Sequence, residues 1–343
     1  MECYQLDILN IKHKINLGIE ILRMILSFLI VVIHCHNKKG DDTKILLFCY
    51  NTLCFYVPTF FIISFYFSFR LFISKDIIKI KQRFKRILIP YIIWPIIFWL
   101  RYNIFIIINN IKDKEIIKNL YYQILIGHGF YGVFWFLFNL VFLSLFIIII
   151  IFLFHKKYLS ILKIIFLLLM IYNYLGYNNY IFEKFNHRVN HSIKRIPSSL
   201  FYSISGFFRG EIKILDKLKN KKSIFFYFLF IEYCIIKDKN KIIINCPYFL
   251  LFIIDLVSII LFLLFANIPF DKIENSFIFL FIKQITKYTG GVYYLHPEVR
   301  DILIKYIKYR NIKGCILIYL ICYFICLFGS ILFKKSYLKY LFA

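Results

Sequence analysis

Arg23 and His34 lie eleven residues apart in one apolar run at 17–35. An imidazole exchanges a proton near neutral pH, and a guanidinium holds an anion. Eleven helical residues make about three turns, so both side chains point the same way, roughly 16 Å apart along the axis. An arginine near the middle of a bilayer costs about 2.5–3.5 kcal/mol on insertion scales. A membrane-spanning chain that keeps such a group generally uses it. Glu20 precedes Arg23 by three residues, so the two can pair along the helix and lower that cost. The alternative is structural: Arg23 snorkels to the interface and His34 marks the end of the helix.

Other groups in the chain could do chemistry. His296 is a second histidine in an apolar stretch, beside Tyr293 and Tyr294 and just before Pro297. It either satisfies the carbonyl that the proline frees or lines the same cavity as His34. Glu298 and Arg300 follow and can pair at the membrane boundary. His187 and His191 have zinc-like spacing but no third ligand, and read as loop residues. His34 and His36 flank Cys35, again without a ligand set. Asp255 is an isolated acid in an apolar run. Ser64 has no base beside it to activate it as a nucleophile.

The elements that must carry these groups are membrane helices. Of 343 residues, 61% are hydrophobic, and the mean hydropathy is +0.73, outside the range of soluble domains. Spanning runs recur at roughly 17–36, 45–71, 88–109, 132–154, 159–176, 196–213, 222–236, 247–268, 289–307 and 314–333. The expectation is all-α: a polytopic transmembrane helical bundle of about ten spans, forming one domain over 1–343. The first run lacks a cleavage pattern and reads as a retained span.

The formal charge of +26 excludes little. The lysines sit in short connectors, where they anchor helix ends and meet anionic lipid, and no nucleic-acid module accompanies them. The densest basic cluster, 74–87, holds Lys75, Lys79, Lys81, Arg83, Lys85 and Arg86. Placing it inside makes the N-terminus cytoplasmic. None of the nine cysteines forms a CxxC pair, so neither a disulfide framework nor a zinc site is expected.

Six segments resemble, in order, the signature of the acyltransferase family 3 membrane proteins. The first is the Glu20, Arg23 and His34 spacing. The second is VPTFFIISFYFSF at 57–69. RFKRILIPY at 83–91 is similar to the basic entry to the third span, with Arg83, Arg86 and Pro90 in place. WFLFNL at 135–140 opens the fourth. IPSSLFYSISGFFRGE and TKYTGGVYYLHPEV resemble the sixth span and a late one. Phe65 stands where the family usually has glycine.

The resemblance implies a membrane O-acyltransferase. It moves an acetyl or short acyl group from cytoplasmic acyl-CoA to a hydroxyl of a cell-surface polysaccharide or lipid-linked sugar. His34 would then be the base, and Arg23, paired with Glu20, would organise the donor. Arg83 and Arg86 would clamp the donor's phosphates, or serve only as the basic flank of a span. His296 would be a further substrate-side residue. No resident cofactor or metal is expected, and the location is the cell (cytoplasmic) membrane. The rival reading is a transporter or flippase for a glycan or lipid-linked sugar, whose pathway the same charges would line.

Overall fold

The computed structural model describes residues 16–35, 55–108, 124, 133–174, 195–211, 247–266, 276–303 and 312–342. Among them the chain is helical, with no strand. The α-helices are α1 (Leu17–His34), α2 (Tyr56–Ile73), α3 (Ile77–Ile108), α4 (Trp135–Phe154), α5 (Tyr158–Tyr174), α6 (Ile196–Glu211), α7 (Pro247–Ala266), α8 (Phe277–Thr286), α9 (Thr289–Leu303) and α10 (Ile312–Leu332). The expected span at 222–236 and the start of the second, 45–54, lie outside the described residues, as do His36, His187 and His191.

Among the described residues, four stretches can cross a membrane by length and composition: Leu17–His34, Tyr56–Ile73, Trp135–Tyr172 and Ile312–Leu332. The third joins α4 to α5 through one turn of 3-10 helix, His155–Lys157. Its outer residues stay apolar although exposed, as with Leu153 at 67%. Helices that are apolar on every side suit hydrocarbon rather than water.

Two helices differ from the sequence expectation. α3 begins at Ile77, eleven residues before the expected span, so the basic cluster is helical. The Asp76 carboxylate accepts from the Lys79 amide at 3.1 Å and starts the helix. Its bond to Lys79 also holds its carboxyl below the usual carboxylate range. Lysine and arginine are good helix formers, so nothing in this stretch stops it. The second difference is α8, too short to count as a span, with Phe277, Leu280 and Phe281 exposed along one side.

Close backbone packing holds the centre. α6 lies along α2, with the small residues Ser199, Ser203 and Gly206 buried. A Cβ at Gly206 would sit 2.8 Å from Ile62 Cα and 2.9 Å from its carbonyl carbon. Small residues are the usual means by which membrane helices approach this closely. Gly18 does the same for α1 and α7, where a Cβ would meet the Phe265 carbonyl carbon at 2.9 Å. Asn16 fastens that junction: its side chain caps α1 through the Ile19 amide at 3.1 Å and donates to Ala266 O at 2.7 Å. α7 therefore ends where α1 begins. Around these contacts the core is filled by Phe61, Phe65, Phe72, Phe207 and Phe262, each under 2% exposed. Cys315, Cys322 and Cys326 form a buried stripe on α10, packed as small apolar residues.

Candidate active site

The first turns of α1 place Glu20 beside Arg23, and the pair forms as the spacing suggests. Arg23 Nη1 lies 3.2 and 3.1 Å from the two Glu20 carboxylate oxygens. Its Nη2 donates to Thr289 Oγ1 at 3.3 Å, and that hydroxyl donates to the Thr286 carbonyl at 2.9 Å. The guanidinium is thus fixed between its own helix and the start of α9, yet remains 32% exposed. It opens onto a cleft of about 740 Å³ between α1 and α8, lined also by Glu20, Lys283, Gln284 and Lys287. Three cations and one carboxylate leave this cleft positive.

At the far end of α1 the His34 ring packs against His296, with centroids 4.9 Å apart and planes tilted by 47°. His34 is half-buried and His296 fully buried. His296 meets the carbonyl that the proline frees, the first of the two parts weighed from the sequence, and its ring packs on His34. Its Nδ1 lies 3.3 Å from the Val292 carbonyl, and the Tyr293 carbonyl, which Pro297 leaves without its helical N–H, is also within reach. A proton on Nδ1 makes both contacts favourable and leaves Nε2 as an acceptor. That Nε2 is buried with no partner among the described residues.

Arg300 clamps this end. It donates to the backbone carbonyl of His34 at 2.7 Å and pairs with Asp301, also at 2.7 Å. The boundary pair expected between Glu298 and Arg300 does not form. Glu298 pairs instead with Arg101 of α3, because a helix turns residues two apart to different faces. The links from Arg23 to Thr289 and from His34 to Arg300 span the same number of residues on both helices, so α1 and α9 run parallel, side by side.

Packing separates Arg23 from His34. Leu26, Ser27 and Ile30 lie on the intervening stripe of α1 and are buried, and the cleft at Arg23 is not lined by His34. Arg83 and Arg86 also lie apart from that cleft. Arg83 turns toward α2, donating to Ser64 Oγ at 3.0 Å and lying over the Phe72 ring at 5.7 Å. Arg86 is exposed.

Sequence reasoning passed over Thr289, Lys283 and Lys287, whose residue types carry no signal of their own. It also passed over Arg195. This arginine precedes α6 and stacks over Trp135 at the start of α4, with its Cζ 4.2 Å from the ring centroid. Tyr56 and Tyr293 are near enough to feel its charge, and His34 feels both Arg195 and Arg300. The one available hint was a charged residue, next to Lys194, directly before the apolar start of a span.

Together these helices hold one cation-lined opening and one pair of packed imidazoles at opposite ends of a single rod. That arrangement can bind an anion at one end and move a proton at the other. No curated protein and no solved structure matches the chain. The sequence profile of the acyltransferase family 3, an acyltransferase domain, matches residues 16–335. The chain belongs to the acyltransferase family 3 and is an acyltransferase.

Proposed function

We propose that this acyltransferase carries an acetyl or other short acyl group from acyl-CoA to a hydroxyl of a cell-surface polysaccharide or lipid-linked sugar. The observation that carries the reading is the double tie between α1 and α9. It holds Arg23 at an open, positive cleft and, eleven residues on, His34 against the His296 ring. Acyl-CoA presents phosphates at one end and a thioester at the end of a long flexible arm. Its anionic end suits the cleft at Arg23, and its reactive carbon belongs near His34. Leu26 and Ile30 then have to give way to the arm. His34 takes the proton of the attacking hydroxyl. Glu20 orients Arg23, and His296 supports the His34 ring. Arg83 and Arg86 add positive charge within the basic first turns of α3.

The bundle is read as ten spans in the cytoplasmic membrane, N-terminus inside. The senses of the described helices agree with that count: α9 runs parallel to α1, and α7 ends where α1 begins. These are the directions of a ninth and an eighth span.

The test uses purified protein, radiolabelled acetyl-CoA and surface glycans from the same cells. Label appearing in ester linkage on the glycan supports the reading. Movement of unmodified glycan across a vesicle membrane without any thioester overturns it in favour of a transporter. The cleft is tested separately. The double substitution Lys283→Glu, Lys287→Glu is expected to raise the KM for acetyl-CoA about tenfold or more, since each charge-assisted contact is worth about 1.5–3 kcal/mol. kcat should change little. An unchanged KM removes α8 from the donor site.

A further inference from the structure

A base alone does not complete acyl transfer. As the acceptor oxygen bonds to the thioester carbon, the carbonyl electron pair moves onto oxygen, and that charge needs donors aimed at it. The groups around His34 differ in whether they have donors to spare. Arg300 is committed to Asp301 and to the His34 carbonyl. The Tyr293 hydroxyl donates to the Val133 carbonyl at 2.7 Å. His296 turns Nδ1 to its own helix. Arg195 is held differently. Its guanidinium carbon lies over the Trp135 ring, and among the described residues no hydrogen bond or ion pair occupies its N–H groups. Stacking orients a guanidinium while leaving its edge free to donate.

A run of ring contacts links the Trp135 end of this stack to the imidazoles. Trp135 lies 6.4 Å from Phe136, Phe136 lies 5.4 Å from Tyr293, and Tyr293 lies 6.1 Å from His296. His296 packs on His34. Asn139 Nδ2 donates to Ser199 Oγ at 3.3 Å, tying the first turn of α4 to that of α6 and holding the stack in place.

Building on the acyl-transfer reading, we infer that Arg195 is a further catalytic residue, the donor to the oxyanion formed when acyl-CoA is attacked beside His34. The step balances. His34 accepts the hydroxyl proton as the new C–O bond forms. The carbonyl oxygen takes the electron pair and faces Arg195. Collapse restores the carbonyl and breaks the C–S bond, and the departing thiolate takes the proton back from His34. The products are an ester and the free thiol of CoA.

The test measures kcat and both KM values for Arg195→Gln, Arg195→Lys and Arg195→Ala, with acetyl-CoA and the surface-glycan acceptor. Arg195→Gln is expected to lower kcat by about 10²–10³ with both KM values near the parent's, the loss seen when an oxyanion donor is removed. Arg195→Lys should recover part of the rate. Guanidinium ion added to Arg195→Ala should also restore turnover, which a packing role would not allow. Because rescue is read within one variant, it remains decisive even if Arg195→Gln folds poorly. A parental kcat in Arg195→Gln overturns the inference. So does a loss confined to the acceptor KM, which would make Arg195 a binder of an acidic sugar. So does failure of guanidinium to restore turnover. If the parent transfers no acetyl group, or His34→Ala transfers normally, the acyl-transfer reading itself fails. A defect absent only at Arg195 defeats this inference alone.

Discussion

Replacing His34 with alanine is expected to lower acyl transfer by about 10²–10⁴-fold, the range for loss of a positioned general base. The structure makes this a clean experiment. Arg300 grips His34 through its backbone carbonyl, not its ring, so the clamp between α1 and α9 survives the substitution. Arg23 still bonds to Thr289 at the other end. The fold and the donor cleft should therefore persist, and acetyl-CoA should bind as before while kcat collapses. The side chain lost is half-buried and meets His296 on one side, so the packing cost is modest. Steady-state transfer rates, with acetyl-CoA binding measured in parallel, decide the matter. Parental turnover in His34→Ala would remove the proposed mechanism, whatever the family.

Gly206→Val is expected to destabilise the bundle by about 3 kcal/mol, the upper end of the usual overpacking range. The new Cβ would lie within 3 Å of backbone atoms of Ile62. A backbone cannot rotate aside as a side chain does, so α2 and α6 must move apart. Their separation would loosen the Phe69–Phe207 contact, whose centroids are 4.8 Å apart, and the buried Ser203 beside it. The stack of Arg195 on Trp135 hangs from the first turn of α6 and should be disturbed as well. Thermal unfolding in detergent, followed by loss of monodisperse protein, reads the effect. Ser198→Ala, on the less buried side of α6, is the control and should lie near the parent. A Gly206→Val protein as heat-stable as the parent would mean that the close α2–α6 approach is not what holds the centre.

The two outcomes separate chemistry from scaffold. The first should abolish turnover in a stable protein; the second should cost stability and activity together.

Much of this was legible in the chain. The apolar runs gave α1, α4, α5, α6, α7 and α10 to within a few residues, because twenty or so apolar residues in sequence have few alternatives to a membrane helix. The Glu20–Arg23 pair followed from three-residue spacing, which a helix turns into contact wherever it lies. Arg23, His34 and His296 stood out because ionisable groups are rare in such runs. α8 did not stand out, since a ten-residue amphipathic helix resembles a connector.

What remained hidden was pairing between helices. The sequence alone determined that the protein is helical and membrane-spanning, that one helix carries a guanidinium and an imidazole on a common stripe, and that the family signature runs along it. Only the tertiary structure decided that Thr289 meets Arg23, that Arg300 holds the His34 carbonyl while Arg101 takes Glu298, and that Arg195 lies over Trp135. Helix periodicity is local and repeats within one element. Contacts between residues hundreds of positions apart depend on how closely two backbones approach. Here that is governed by the missing side chains of Gly18 and Gly206 as much as by any side chain present.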